Sequence, residues 1–296
     1  QAGIMSDDAL AEAMNAKRQV LCIVNTRRHA QNLFKLLEKE GAFHLSTLMA
    51  PAHRSEKLDQ IRERLKSGQP CRVVSTSLIE AGVDVDFPLV FREEAGLDSE
   101  IQAAGRCNRE GRHPKEESRV IIFSPEERYC GHLLPSVQLQ TDITKSVARK
   151  YADLSSPDAI RCYFETTYRV SGEQLDRKKI VDALEEGAAN NFSFPFAEVA
   201  KEFRLIETDT KAILIPAWSE AQALLRRIRA GEINREIFRA IGPYCVSTYQ
   251  PHFQALYDAG KLEYLDCGVA VLTDLDAYSR ETGLSLTADS GSVWFV

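Results

Sequence analysis

The 296-residue chain is 44% hydrophobic and 27% charged, with a formal net charge of −6. That is an ordinary globular composition, and the length suits two domains better than one small core. No apolar run approaches the roughly 20 residues that span a bilayer, and the first eight residues, Gln1-Ala-Gly-Ile-Met-Ser-Asp-Asp, have neither the basic nor the apolar region of a signal peptide, so a membrane partner is not expected. A start other than Met suggests a processed chain or a fragment. The seven cysteines contain no Cys-x-x-Cys pair, which reads as reduced thiols in a cytoplasmic protein. Residues 1–125 balance at 18 basic and 18 acidic side chains, so the net negative charge lies beyond them. A nucleic-acid site must then be a local groove and not a basic body.

In chain order, Ser6 followed by Asp7 and Asp8 predicts a capped helix start. Val20 to Val24 is a continuous apolar run, as in a parallel strand covered on both faces. Ala30, Leu33, Phe34 and Leu37 form a helical stripe over 27–40, stopped by Gly41. A strand is predicted over 43–49 and a helix over 54–66, with Leu58, Ile61 and Leu65 inward; Gly68-Gln-Pro70 ends it. Strands follow at 71–75, 89–91 and 120–123, with a helix at 98–107. This alternation implies a doubly wound α/β domain with a parallel sheet over residues 1–125, closed by Pro125. In such sheets the functional loops lie at the carboxyl ends of the strands, where Asn25-Thr26 and Thr76-Ser77 fall.

Residues 126–157 read as a linker carrying a helix over 141–151. Residues 158–296 read as a mixed α+β accessory domain, with helices at 158–168, 196–203, 218–230 and 250–258 and strands at 211–215, 243–248, 262–265, 269–272 and 293–296.

Two stretches carry chemistry. Gln102-Ala-Ala-Gly-Arg-Cys-Asn-Arg-Glu-Gly-Arg112 spaces three arginines three apart; on a helix Arg106 and Arg109 would share a face, with Gly105 allowing close backbone approach. Guanidinium forks suit phosphate oxygens. The plain alternative is a solvated basic helix end, and Arg112 reads as surface. Upstream, Val73-Val-Ser-Thr-Ser-Leu-Ile-Glu-Ala-Gly-Val-Asp-Val-Asp-Phe87 places hydroxyls and a glycine after a strand. Such groups ligate phosphate well, or simply cap a helix. Glu80 has no assignable role.

Together these stretches resemble motifs VI and V of superfamily 2 helicases, on the second of that family's two RecA-like motor domains. The resemblance implies that Arg109 is an arginine finger, Arg106 a second γ-phosphate contact, and Gln102 a water- or nucleotide-sensing residue. Gly82, Asp84 and Gly105 would lie on the nucleotide side. Thr76 and Ser75 would contact the tracked strand, joined by Thr26 and Arg27 of a motif IV-like segment, Val24 to His29. Ile79 to Pro88, with its paired Asp84 and Asp86, is most similar to the CRISPR-associated helicase-nuclease of type I systems. The implied enzyme is recruited by a Cascade-type surveillance complex, threads single-stranded DNA with ATP, and cuts it at a metal-dependent nuclease.

The chain has no Gly-x-x-x-x-Gly-Lys-Ser/Thr loop, no Asp-Glu-x-His box and no paired His-Asp nuclease centre. ATP with its magnesium, and the nuclease metal, would be bound by an N-terminal half with the first motor domain; this chain alone is expected to bind none and to be inactive. His29, His44 and His53 lack metal-ligand spacing and read as surface residues, although His53-Arg54 falls near a further strand-contact segment of the family. Arg226, Arg227, Arg229, Arg235 and Arg239 read as a solvated helix face or the lining of a strand channel. Trp218, Tyr244, Tyr249 and Phe253 could stack bases but more often such aromatics are core. Two alternatives stay open: another superfamily 2 helicase or translocase for repair or RNA, and a non-catalytic nucleic-acid-binding or regulatory module.

Overall fold

The computed structural model describes residues 3–114, 116, 118–130, 134–190, 192–203 and 210–285. Helix α1 (Asp7–Asn15) begins as expected, with Ser6 Oγ accepting from the Ala9 N–H at 3.2 Å. Then follow β1 (Gln19–Ile23), α2 (Arg27–Leu36), β2 (Ala42–Leu45), α3 (Pro51–Lys66), β3 (Cys71–Ser75), β4 (Leu89–Glu93), α4 (Leu97–Ala104) and β5 (Arg119–Phe123).

The five strands pair in the order β2-β3-β1-β4-β5, with every pairing parallel. Alternation along β1 explains its unbroken apolar run. Val20 and Cys22 pack with Leu10, Met14, Ala30 and Leu33 of α1 and α2. Leu21 and Ile23 face the other way, onto Ile61 of α3 and Ala103 of α4. Both faces are covered, so every position of the strand must be apolar. This is the doubly wound, RecA-like sheet expected from the sequence.

After the short α5 (Glu127–Cys130) come α6 (Pro135–Ala148), α7 (Pro157–Ser171), α8 (Ile180–Ala189) and α9 (Phe196–Glu202). Then β6 (Thr210–Leu214), α10 (Ser219–Arg229), α11 (Arg235–Ile241), β7 (Cys245–Tyr249), α12 (Gln250–Asp258), β8 (Leu262–Tyr264), β9 (Ala270–Leu272) and the hairpin β10 (Tyr278–Ser279)–β11 (Gly283–Leu284). Strands β6 to β9 form a second, mixed sheet in the order β7-β6-β9-β8. The strand expected over 293–296 lies outside the described residues.

The sequence reading groups 158–296 as one accessory domain. Packing divides the chain differently: Gln1–Gln138 with Thr210–Val296 form one compact unit and Leu139–Asp209 another. The second sheet joins the first because their cores are continuous. Leu48 and Ala50, from the loop between β2 and α3, are buried among Ile213, Val246, Leu256 and Leu284. Gly283, at φ +80°, lies so close to Leu48 that a Cβ would sit 2.3 Å from its carbonyl oxygen. Tyr278 Oη accepts from the Ala50 N–H at 3.0 Å and lies 2.9 Å from His53 Nδ1.

Candidate nucleotide and strand site

The candidate site lies at the carboxyl edge of the first sheet. β1 and β3 are neighbours, with Ile23 opposite Ser75. The loops Asn25–Arg27 and Thr76–Asp86 therefore leave the sheet side by side. Thr26 caps α2, its Oγ1 accepting from the His29 N–H at 3.1 Å. Arg27 lies over the Tyr249 ring, 5.1 Å from its centre, and burial lowers its pKa. Ser75 is buried and spends its hydroxyl on the Thr76 carbonyl at 2.8 Å. Thr76 keeps 7% exposure and its side chain makes no cap bond to the short 3-10 helix Ser77–Ile79 that it precedes.

The arginine loop differs from the helical expectation. α4 stops at Ala104, and Arg106 and Arg109 do not share a helix face. The backbone bonds that would continue the helix go to Phe87, just ahead of β4, instead: the Phe87 N–H donates to Arg106 O at 3.0 Å and the Asn108 N–H to Phe87 O at 2.9 Å. Gly105 has an ordinary φ of −66°, and a Cβ there would meet Gln102 O at 3.3 Å. The site glycine that needs its freedom is Gly82, at φ +70° on the exposed turn.

The two motifs lock onto each other. Arg106 is 9% exposed; its Nε donates to Ile79 O at 3.0 Å and its Nη2 to Glu80 O at 2.5 Å. Burial first, and then the neighbouring Arg109, lower its pKa. Asp86 accepts from the Arg109 N–H at 2.7 Å and from the Glu110 N–H at 3.4 Å. Arg109 is exposed, with Nη1 2.8 Å from Asp84 Oδ1, a carboxylate that is itself largely in water. Gln102 and Gly82 are exposed beside them. Two donors of Arg106 thus brace the loop, while the Arg109 side chain, among the described residues, makes a solvent-screened pair of the kind worth about 0–1 kcal/mol. Arg112 pairs with Glu110 at the surface.

Sequence reasoning missed the groups beneath these loops. Glu80, Arg92, Glu93, Asn25, His29 and Asp7 form one buried polar chain. A signal was present: Arg92-Glu93 ends an otherwise apolar strand, and charges there must be paired. The histidines read as surface residues are buried, each about 1% exposed. His29 lies between carboxylates, which outweigh its desolvation and raise its pKa to about 9. Burial lowers His44 to about 3 and His53 to about 4. His53 meets Tyr278 Oη and Arg280 O, and Arg54 donates to Met49 O at 2.7 Å, so both side chains hold loops of the protein.

Among the arginines of α10 and α11, Arg227 pairs with Glu232 and Arg229 with Glu263, as on a solvated face. Phe253 is core; Trp218 packs against Tyr244 and donates to Glu56; Tyr249 stays 44% exposed under Arg27. No group of three or more His, Cys, Asp or Glu suited to a metal occurs among the described residues, and no described helix is long and apolar enough to cross a membrane. Cys22, Cys71, Cys107, Cys162, Cys245 and Cys267 are free thiols.

Residues 16–112 match the family described as CRISPR-associated nuclease/helicase Cas3, C-terminal. The CRISPR-associated nuclease/helicase Cas3 of Methanothermobacter thermautotrophicus is 27% identical over 140 residues, 46% of this chain and 17% of that protein. Its namesake from Haloferax volcanii is 28% identical over 155 residues, 44% of this chain and 16% of that one. The crystal structure of T. fusca Cas3-AMPPNP superposes with a TM-score of 0.59 at 15% identity, over 98% of this chain and 42% of that one. A chain of a CRISPR RNA-guided surveillance complex, pre-nicking, superposes with a TM-score of 0.54 at 14% identity. At such identities the solved structures establish the fold alone. The chain spans well under half the length of these relatives.

Proposed function

We propose that the chain is a C-terminal Cas3-type segment that supplies the second motor domain of an ATP-dependent DNA helicase-nuclease acting in type I CRISPR interference. The observation that carries this reading is the locked pair of loops: Arg106 and Asp86 fasten the arginine loop to the Thr76–Asp86 segment and leave Arg109 exposed at its rim. A cation held on a rigid loop but only weakly paired can move to charge developing on a transferring phosphoryl group, a contribution of about 10³–10⁵ in rate for an arginine finger.

In this reading Arg109 is the finger. Arg106 positions it and offers its remaining donors to the γ-phosphate, and Gln102, Gly82, Asp84 and Gly105 line the nucleotide side. Thr76, Thr26 and Arg27 face the tracked strand, while Ser75 orients the Thr76 backbone. ATP and magnesium are held mainly by a first motor domain, and the DNA-cutting metal by a nuclease domain, each supplied by the N-terminal half. Partners are that half, single-stranded DNA and a Cascade-type surveillance complex, in the cytoplasm.

The test is DNA-stimulated ATP hydrolysis by this chain alone, and then combined with the N-terminal half. The expected result is silence alone and turnover on combination. Turnover by the chain alone refutes the division of labour. Activity that ignores an R-loop and prefers RNA or repair substrates refutes the CRISPR assignment in favour of another superfamily 2 motor. Nucleic-acid binding without turnover in any combination favours the non-catalytic module.

A further inference from the structure

β4 ends on two charges, Arg92 at 1% and Glu93 at 0% exposure, deep beneath the site. Their pairing runs as one chain. Glu80 Oε1 lies 2.8 Å from Arg92 Nε, and Ser99 Oγ donates to Glu80 Oε2 at 2.8 Å. Arg92 Nη1 donates to Asn25 Oδ1 at 2.7 Å and to Glu93 O at 2.8 Å. Glu93 accepts from the Asn25 N–H and from Asn25 Nδ2, both at 3.0 Å. Its Oε2 lies 2.8 Å from His29 Nδ1, and His29 Nε2 lies 3.1 Å from Asp7 Oδ1. Signs alternate from Asp7 to Glu80, so each charge has its counter-charge.

Two members of this chain, Asn25 and Glu80, adjoin the loops of the site. Asn25 directly precedes Thr26 and Arg27 on the strand-side loop. Glu80 offers its backbone carbonyl to Arg106, the brace of the arginine loop. A buried ion pair adds little net stability over apolar residues of the same volume. What it adds here is geometry, because Arg92 uses separate nitrogens of one planar fork on Glu80 and on Asn25.

We propose that Glu80, Arg92 and Asn25 form a positioning link that couples the strand-side loop to the arginine loop. The link rests on the motor reading above. A shift of the Asn25–Arg27 loop on strand binding pulls the Arg92 fork. In a close-packed interior the fork cannot yield on one side only, so Glu80 follows and Arg106 moves with it.

The test uses the complete enzyme and two variants, Arg92→Lys and Glu80→Gln. A single ammonium keeps the buried charge but cannot fork between Glu80 and Asn25. Gln at 80 keeps a partner for Ser99 but loses the ion pair. The readouts are basal ATP turnover, turnover with saturating single-stranded DNA, and melting temperature. The expected result is basal turnover within about twofold of the unaltered enzyme and a stimulation ratio about tenfold lower, the size typical of coupling between two sites. An unchanged ratio overturns the link. So does a proportional fall of basal and stimulated turnover that tracks the melting temperature, since that is a purely structural effect. An unaltered enzyme with no DNA stimulation at all overturns the motor reading itself, and the two failures are thereby distinct.

Discussion

The buried histidines make a prediction whose sign can be worked from the structure. His29, between Asp7 and Glu93, has its pKa raised to about 9, against about 6.5 when unfolded. The folded state therefore holds its proton more tightly, and the resulting stability is fully present below pH 6.5 and is lost as pH rises toward 9. By linkage this contribution is about 3 kcal/mol at pH 6 and roughly half that at pH 8, a loss of about 2 kcal/mol. Three other histidines oppose it. His44 is lowered to about 3, and His53 and His252 to about 4, each mainly by burial. They are neutral in the fold, so protonation of the unfolded chain below pH 6.5 penalises folding, by just under about 1 kcal/mol each at pH 6 and almost nothing at pH 8. The two trends nearly cancel, and the unaltered chain should be flat to within about 1 kcal/mol between pH 6 and pH 8.

His29→Gln removes one side of that balance. Its stability should rise by roughly 2–3 kcal/mol from pH 6 to pH 8, on top of a loss of about 3–5 kcal/mol at acid pH from leaving Glu93 without His29 and Asp7 with Arg128 as its remaining cation. Urea unfolding followed by tryptophan fluorescence at fixed ionic strength measures both. An unchanged gap between the two proteins across this pH range would refute the assignment of a charged His29. Imidazole titration by NMR in the unaltered chain is an independent check, since His29 alone of the four should titrate near 9.

Arg109→Ala in the complete enzyme should lower DNA-stimulated ATP turnover by about 10³ or more, with the melting temperature unchanged because its pair with Asp84 is exposed; near-normal turnover would sink the finger assignment. Thr76→Ala should raise the single-stranded DNA concentration needed for half-stimulation, and unchanged unwinding would count against a strand contact there. Tyr278→Phe deletes the hydroxyl shared by the Ala50 N–H and His53; with both left buried, urea unfolding should show a loss of about 1–3 kcal/mol. Gly283→Ala should destabilise the chain similarly, through a strained positive φ and the contact with Leu48.

The first sheet was legible because its signals are local. Val20 to Val24 must be a doubly covered strand, and Ser6 and Thr26 reach only to their own helix starts. The missed helices α5, α8 and α11 are ten residues or fewer and leave too few turns for a periodic stripe. The arginine loop was misread as helix because the i to i+3 spacing of Arg106 and Arg109 is equally compatible with a turn. The bond from the Phe87 N–H to Arg106 O decided for the turn, and that partner is 19 residues away.

By itself the sequence determined the chemistry on offer: arginines three apart behind a helix, hydroxyls behind a strand, and no phosphate cradle. Those are properties of residue type and order, carried along the chain. Tertiary structure alone decided their division of labour. It buried Arg106 as a brace and left Arg109 in water. It also turned Glu80, without an assignable role on paper, into the meeting point of Arg92, Ser99 and Arg106, and joined residues 210–285 to the first sheet through Leu48 and Ala50. Burial and long-range pairing set which charge is structural and which is free to react, and both depend on contacts between residues far apart in the sequence.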